Sequence, residues 1–250
     1  IVSACDKILS GKYVDQFEKE FANYCGCEFG IGTTSGTTAL HLALAASKIG
    51  PGDEVVVPTF TIVSTILAII YTGAKPVLVD SDPETWNIDV GLIEQKITKN
   101  TKAILPVHMY GHPCDMDPIL DMARRHKLIV IEDAAEVHGS EYKNKKAGGI
   151  GDIGCFSFYA NKIITTGEGG MVVTNDKVVA ERASLLKDLA FIPEKRFLHK
   201  ELGFNYRMTN IEAAIGLAQL ENIDDLVNRR RNNASRYNAI LKDIDGSDVT

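Results

Sequence analysis

The chain has 250 residues, of which 45% are hydrophobic and 24% are charged. These proportions are typical of folded globular proteins and exclude a disordered chain, a collagen or a coiled coil. At roughly 150 residues per domain, the length predicts one or two domains. The formal net charge of −6 argues against a protein whose main task is to bind nucleic acid, but it does not exclude a local pocket for one phosphorylated ligand.

The cysteines and the apolar segments predict a cytoplasmic protein that is not in a membrane. The cysteines are odd in number and scattered, at Cys5, Cys25, Cys27, Cys114 and Cys155. They show no zinc-ligand spacing and favour a reducing compartment. We expect no signal peptide. The most apolar stretch, residues 62–71, is shorter than the roughly 18 residues that a membrane span needs, and it predicts a buried helix.

Short runs rich in β-branched residues alternate with helical patterns. The predicted strands are residues 54–58, 76–80, 102–107, 128–133, 155–158 and 170–174. The predicted helices between them are residues 37–48, 62–71, 90–97, 116–126 and 177–188. This alternation predicts an α/β protein with three layers, α/β/α, in which helices cover both faces of a mostly parallel sheet. Ligands of such sheets bind at the carboxyl ends of the strands.

A helical pattern continues from Met208 to Leu241. Its apolar face is predicted to contain Ile211, Ala214, Ile215, Ala218 and Leu226. A helix of this length predicts that the chain leaves one domain and enters another.

The first segment with candidate chemistry is residues 31–40, where small residues lead into a helix at Ser35. A helix start with free amide groups and hydroxyl side chains is an anion site, but Ser35 is equally well explained as an ordinary N-cap. The segment has neither a phosphate-binding Gly-Lys-Ser/Thr loop nor a GxGxxG fingerprint, which argues against NTP hydrolysis and nicotinamide binding. His41 follows on the apolar helix face, and we expect it to pack in the core.

The second segment is the end of the strand 128–133, where Glu132 and Asp133 follow an apolar run. Buried charges are costly unless they are paired. One interpretation is a structural ion pair or a helix cap. The other is a carboxylate that is held for a cationic ring nitrogen or for a metal, with His138 as the only further ligand nearby.

The third segment places Lys162 in a polar, glycine-bounded loop after the strand 155–158. Most lysines are surface residues, but a lysine near strand ends can form a Schiff base. An anion site, a buried aspartate and a loop lysine, in this order, are what pyridoxal phosphate requires for its phosphate, its ring nitrogen and its aldehyde. The combination predicts this cofactor.

With these segments the chain resembles the DegT/DnrJ/EryC1/StrS family of pyridoxal-phosphate-dependent sugar aminotransferases. The resemblance is carried by residues 34–40, 50–55, 132–136, 156–158, 161–170 and 203–208, in family order over most of the chain. It implies the large domain of the aspartate aminotransferase fold, the fold type I of pyridoxal-phosphate enzymes. Residues 161–170 and 205–210 are most similar to the perosamine-forming branch.

The resemblance implies two catalytic residues. Lys162 matches the lysine that binds the cofactor covalently and later shuttles a proton. Asp133 matches the carboxylate that pairs with the ring nitrogen. The residues that match phosphate-binding positions are Ser35, Gly36, Thr37 and Ser157.

Three further residues are implied to contact the cofactor. Asn205 matches an asparagine that reaches the phosphate in the neighbouring subunit, which implies a homodimer with shared active sites. Phe60 matches an aromatic residue that stacks on the cofactor ring. Glu136 occupies a position that is often Gln, beside the phenolic oxygen of the cofactor. His108 and His138 are expected nearby, without an assigned role.

The function implied is transfer of an amino group from glutamate to a nucleotide-linked 4-keto-6-deoxy sugar, with GDP preferred and dTDP or UDP as alternatives. No metal, nucleic-acid or membrane partner is expected. A related dehydratase branch has histidine in place of the lysine, so Lys162 favours amino transfer. A non-catalytic regulatory relative is a second alternative. A dinucleotide-dependent sugar enzyme is disfavoured because the glycine fingerprint is absent.

The same resemblance divides the chain into three parts. These are an N-terminal segment (1–24), a pyridoxal-phosphate-binding large domain (25–207), and a linking helix with the start of a small C-terminal domain (208–250). The chain begins at Ile1 and stops just after the loop 245–247. We therefore expect a fragment of a longer protein from which most of the small domain is absent.

Overall fold

The computed structural model describes residues 11–192 and 199–242. The first ten residues of the predicted N-terminal segment, including Cys5, and the loop 245–247 lie outside the described residues. The helices are α1 (Lys12–Tyr24), α2 (Gly36–Ala46), α3 (Val63–Tyr71), α4 (Val90–Ile93), α5 (Met116–His126), α6 (Lys177–Lys187), α7 (Asn210–Leu220) and α8 (Ile223–Leu241). Among the described residues no helix has the length and apolar character of a membrane span.

In the part of the chain that the structure describes, seven strands form the central sheet, and two short strands form a hairpin. The strands are β1 (Phe29–Thr33), β2 (Glu54–Pro58), β3 (Lys75–Val79), β4 (Thr101–Ile104), β5 (Ile129–Asp133), β6 (Glu141–Tyr142), β7 (Lys145–Lys146), β8 (Ile153–Ser157) and β9 (Gly170–Thr174). The sheet order is β1-β9-β8-β5-β4-β2-β3, and β6 pairs with β7. Only β9 runs antiparallel to its neighbours β1 and β8, so the mostly parallel sheet is confirmed.

Alternate side chains of the strands pack against helices on opposite faces of the sheet. Along β9, Val172 belongs to a core with α2 and α6, whereas Met171 and Val173 belong to a core with α1 and α7. A third cluster packs β4 and β5 against α5. This two-residue alternation produces the predicted α/β/α layers.

Of the helices and strands named above, α1, β1 and the two hairpin strands β6 and β7 were not predicted from the sequence. The glycines in β1 weaken a strand pattern because they contribute no side chain. In the folded chain a Cβ atom at Gly30 would lie 2.2 Å from the carbonyl oxygen of Glu18, so the glycine allows α1 to lie directly on the strand. The glycines that obscure β1 in the sequence therefore satisfy a packing requirement of the folded chain.

The helical pattern from Met208 to Leu241 contains two helices, because the chain turns between Leu220 and Ile223. The predicted apolar face was partly wrong, since Ala218 is exposed. The buried side chains of this stretch include Ala213, Leu217, Leu220, Ile223 and Val227. Alanine is compatible with either a buried or an exposed face, so the alanines made the apolar pattern ambiguous. Packing against α1 determines which side of the helix is buried.

An aromatic cluster joins α1 to the end of β8. The ring of Phe21 lies 4.9 Å from that of Phe156 and 5.0 Å from that of Phe158, and Phe17 lies 5.1 Å from Phe158. His138 is buried in the same cluster, 5.3 Å from Phe156. Aromatic pairs at these distances add to the free energy gained from burial alone.

We predict that Phe21→Ala lowers the free energy of unfolding by about 3–5 kcal/mol, because it leaves a cavity among buried rings. Urea denaturation followed by circular dichroism measures the change. Tyr237→Ala is the control, since Tyr237 is 66% exposed. Equal stability of the two variants would contradict the packing described.

Burial lowers the pKa of His138 to about 3. The unfolded chain therefore binds a proton near pH 6.5 that the folded chain does not bind until about pH 3. We predict that, because of this residue, the free energy of unfolding falls by up to about 1.4 kcal/mol for each pH unit as the pH is lowered from 6.5 to about 3. Urea titrations of His138→Phe should show a shallower pH dependence than the wild type, whereas the exposed-residue control His112→Gln should match it. Parallel profiles for His138→Phe and the wild type would refute this.

Candidate active site

A cavity of about 460 Å³ opens where the parallel strands end. Eight of the nine predicted site residues line it: Ser35, Gly36, Thr37, Phe60, Asp133, Glu136, Ser157 and Lys162. Asn205 is not among the lining residues. The fold thus brings together residues that lie up to 127 positions apart in the sequence, from 35 to 162.

The antiparallel strand β9 sets the distance between the first and third predicted segments. Gly170 pairs with Thr33 at the end of β1 and with Ser157 at the end of β8. A Cβ atom at Gly170 would lie 2.2 Å from the carbonyl oxygen of Ser35. Only glycine permits this approach, which draws the start of α2 towards the end of β8.

The start of α2 is both capped and open to the cavity. The hydroxyl of Ser35 accepts a hydrogen bond from the amide of Thr38 at 3.2 Å, and the hydroxyl of Thr38 accepts one from the amide of Ser35 at 2.9 Å. Gly36 and Thr37, which begin the helix, line the cavity. The N-cap interpretation and the anion-site interpretation are compatible, because the capping box leaves the first helical amides for another partner.

Gly36 lies directly against Ser157. A Cβ atom at Gly36 would be 2.8 Å from the Cβ atom of Ser157. The hydroxyl of Ser157 accepts a hydrogen bond from the amide of Tyr159 at 3.3 Å, which leaves its own hydrogen to donate. The dipole of α2, the amides at its start and this hydroxyl form a cradle suited to a phosphate group.

The two acids at the end of β5 have different surroundings. Glu132 is fully buried and accepts hydrogen bonds from the amides of Gly148, Ile150 and Gly151, at 2.6–2.8 Å. Its Oε2 is also 2.8 Å from Nε2 of His108. The structural interpretation therefore holds for Glu132, whereas Asp133 lines the cavity.

The carboxyl group of Asp133 is only 2% exposed and is held by two donors. The hydroxyl of Thr65 donates to Oδ2 at 2.8 Å, and the amide of Ala135 donates to Oδ1 at 3.2 Å. Burial raises the pKa of Asp133 above its usual value, and the two hydrogen bonds oppose this effect. A cationic partner in the cavity would favour the ionised form.

Lys162 is positioned by the loop that follows β8. Its amide donates to the carbonyl of Tyr159 at 2.9 Å, and its Nζ lies 3.3 Å from Oε1 of Glu136. The other oxygen of Glu136 accepts a hydrogen bond from the amide of Tyr110 at 3.0 Å. Glu136 therefore connects the lysine to the opposite wall of the cavity.

Aromatic side chains lie on that wall. The ring of Phe60 is 5.2 Å from that of Trp86 and 6.3 Å from that of Tyr110. Tyr110 is 79% exposed and has a φ of 49°, a left-handed conformation that is strained for a large side chain. Sequence reasoning missed Tyr110, although it follows the predicted strand 102–107, and it missed Trp86, which packs on Phe60 but is not among the residues that line the cavity.

Thr65 is another site residue that was missed. In the sequence it is only one of two polar residues that interrupt the apolar run 62–71. A polar side chain on an otherwise apolar helix needs a buried partner, which could have served as the signal. In the folded chain that partner is Asp133.

His41 and Asn205 are not among the residues that line the cavity, whereas His108 is. His41 is buried as expected, and its Nδ1 is 3.0 Å from the hydroxyl of Tyr206. Asn205 is exposed, and its backbone forms a bridge with Asp188. Within residues 11–192 and 199–242 there is no group of three or more potential metal ligands.

Comparison with known proteins places these residues in a family. The DegT/DnrJ/EryC1/StrS aminotransferase family matches residues 2–250. The GDP-perosamine synthase of Caulobacter vibrioides is 57% identical over 215 residues, which are 86% of this chain and 58% of that protein. The GDP-perosamine synthase of Escherichia coli O157:H7 is 53% identical over 227 residues, which are 91% of this chain and 62% of that protein. The chain thus spans about three fifths of these relatives.

Solved structures share the fold. S. venezuelae DesV, solved with a ketimine intermediate, has a TM-score of 0.93 at 39% identity, over 98% of this chain and 66% of that one. GDP-4-keto-6-deoxymannose-3-dehydratase, solved with a trapped PLP–glutamate geminal diamine, has a TM-score of 0.91 at 30% identity, over 98% of this chain and 69% of that one. The chain belongs to the DegT/DnrJ/EryC1/StrS aminotransferase family, whose cofactor is pyridoxal phosphate.

Proposed function

We propose that this chain is the cofactor-binding part of an aminotransferase that moves the amino group of glutamate to a nucleotide-linked 4-keto-6-deoxy sugar. The observation that carries the proposal is the convergence of Lys162, Asp133 and the start of α2 in one cavity. A non-catalytic regulatory relative would not need a lysine and a buried aspartate in the same cavity, so this convergence argues against that alternative.

The donor set fits pyridoxal phosphate. The phosphate would be bound by the amides at Gly36 and Thr37 and by the hydroxyl of Ser157, in the space that a side chain at residue 36 would fill. Asp133 would pair with the ring nitrogen, and Phe60 would stack on the ring. The cavity of about 460 Å³ lies within the usual range for small-molecule sites.

When bound, pyridoxal phosphate supplies an aldehyde that takes up an amino group and a ring that accepts an electron pair. Lys162 would bind the aldehyde carbon and, once released, move a proton between the substrate carbon and the cofactor carbon. Asp133 would keep the ring nitrogen protonated, since an ionised carboxylate favours a cation beside it. Glu136, at 3.3 Å from Nζ, would orient the lysine and contact the phenolic oxygen.

A GDP-linked sugar is our preferred acceptor. The preference is supported by the similarity of residues 161–170 and 205–210 to the perosamine-forming branch and by the two GDP-perosamine synthases above. Glutamate as donor is supported by the glutamate adduct in the dehydratase structure. Acceptors linked to dTDP or UDP are the alternatives, to be decided by assaying the three nucleotide sugars in parallel.

We also propose a homodimer in which Asn205 completes the site of the partner copy. Among the described residues that line the cavity, Lys162 is the only lysine or arginine, whereas three carboxylates, those of Asp133, Glu136 and Glu168, line it. The phosphates of the cofactor and of a nucleotide sugar therefore need further donors. The exposed side chain of Asn205, outside the cavity of its own chain, is available to supply one.

We also propose a division of the chain into domains and a cellular location. Residues 1–24 would be an N-terminal segment, residues 25–207 would form the cofactor-binding domain, and residues 208–250 would be a linking helix with the start of a second, small domain. A cytoplasmic location is supported by the free thiols of the four described cysteines.

Adding pyridoxal phosphate to the chain should produce a visible absorption band that requires Lys162. We predict that Lys162→Ala abolishes the band, because no other amine in the described cavity can bind the aldehyde. Lys145→Ala is the control, since Lys145 is an exposed lysine in β7. Glutamate should bleach the band in the wild type and in the control. A band that survives in Lys162→Ala would disprove the assignment of this lysine.

Mixing two inactive variants tests the shared site. We predict that Lys162→Ala and Asn205→Ala, refolded together in equal amounts, regain about a quarter of the wild-type glutamate half-reaction, because half of the dimers then contain one intact site. Each variant refolded alone is the control. Failure to regain activity, with mixed dimers shown by mass spectrometry, would place Asn205 in its own subunit's site, and full activity of Asn205→Ala refolded alone would place it outside any site.

A further inference from the structure

We propose that Thr65 is a positioning residue that holds the carboxyl group of Asp133 ionised towards the ring nitrogen of the cofactor. Thr61 extends this arrangement into a chain of two hydroxyl groups that runs from the cavity to the carboxylate. The inference rests on the proposed cofactor and goes beyond it, because it assigns a role to two residues outside the six sequence segments that carry the resemblance described above.

The geometry of the chain is continuous. The hydroxyl of Thr65 donates to Oδ2 of Asp133 at 2.8 Å, and the hydroxyl of Thr61 lies 2.8 Å from that of Thr65. Thr61 lines the cavity, whereas Thr65 is fully buried behind it. A hydroxyl has one hydrogen to donate. Since Thr65 gives its hydrogen to the carboxylate, Thr61 is the donor in the 2.8 Å contact with Thr65, which is shorter than its alternative hydrogen bond to the carbonyl oxygen of Ile62 at 3.4 Å. Both hydroxyl dipoles then point towards Asp133.

The hydroxyl of Thr65 does not stabilise its own helix. Thr65 lies in the first turn of α3, where Ile62 is the N-cap and provides no side-chain hydrogen bond. The hydrogen bonds described for the Thr65 hydroxyl go to Thr61 and to Asp133. Valine has nearly the same shape as threonine, so the substitution Thr65→Val mainly removes the hydroxyl that donates to the carboxylate.

The carboxylate depends on few donors. Burial raises the pKa of Asp133, and the hydrogen bond from Thr65 is the largest of the effects that lower it, ahead of the amide of Ala135. The charged groups that lower it further are Lys162 and His108. An uncharged Asp133 would not stabilise a proton on the ring nitrogen. The hydroxyl of Thr65 therefore acts on the cofactor through the aspartate.

The test compares Thr65→Val with Thr65→Ser, which keeps the hydroxyl. Thr72→Val is a further control, because Thr72 lies at the other end of α3 and donates to the carbonyl of Ile69 at 2.7 Å. Each variant is titrated with pyridoxal phosphate and with the carbocyclic analogue that lacks the ring nitrogen. A hydrogen bond to a charged group predicts that Thr65→Val weakens binding of pyridoxal phosphate about tenfold and leaves binding of the analogue unchanged. Equal weakening for both ligands, or none for either, would overturn the proposal.

Nitrogen NMR of cofactor labelled at the ring nitrogen provides a direct readout. Protonation of the nitrogen should be lost at lower pH in Thr65→Val than in the wild type, Thr65→Ser or Thr72→Val. An unchanged protonation midpoint would refute the role of Thr65.

A measurement without cofactor separates this inference from the proposed function. The infrared carboxylic-acid band that disappears in Asp133→Asn reports the protonation of Asp133 in the free protein. Its midpoint should move to higher pH in Thr65→Val, and an unmoved midpoint would overturn the inference whatever the cofactor does. If the midpoint moves but no Lys162-dependent absorption band forms in the wild type, the proposed function fails and only the effect of Thr65 on Asp133 stands.

Discussion

Strand β5 ends in two buried carboxylates, and the rest of the site depends on how their charges are held. The strand sends consecutive side chains to opposite faces. Glu132 meets three backbone amides of the turn 148–151 and His108, so its charge is used to fix the loops on one face. Asp133 faces the cavity with two donors. One carboxylate therefore stabilises the scaffold, and the other is available for chemistry.

The cradle at the start of α2 depends on a second constraint, the insertion of β9 between β1 and β8. These two strands are parallel to each other, and both end beside Gly170. The loops that follow them therefore leave the sheet at the same edge. The close approaches at Gly36 and Gly170 tolerate no side chain, so small residues in both segments are a condition for bringing Ser35 and Ser157 together.

The arrangement explains why a lysine, an aspartate and a helix start can act as one unit. Lys162 forms an ion pair with Glu136, and Glu136 accepts a hydrogen bond from the backbone amide of Tyr110. Tyr110 has a left-handed backbone conformation. Asp133 accepts a hydrogen bond from Thr65, which lies in helix α3. Each reactive group thus has a supporting group on a separate element, which is the condition for a fixed geometry in a catalytic site.

The sequence by itself determined the α/β class, most strands and helices, and the candidate residues Lys162 and Asp133, because apolar periodicity and small polar motifs are local properties of the chain. It did not reveal β1, where glycines replace the expected pattern, nor the buried face of α7, where alanines fit either side. It also left the roles of Glu132 and Asp133 undivided, and it did not identify Thr65 or Tyr110 as site residues. Only the tertiary structure decided these points, because each depends on a partner far away in the chain: Glu18 for Gly30, His108 for Glu132, and Asp133 for Thr65.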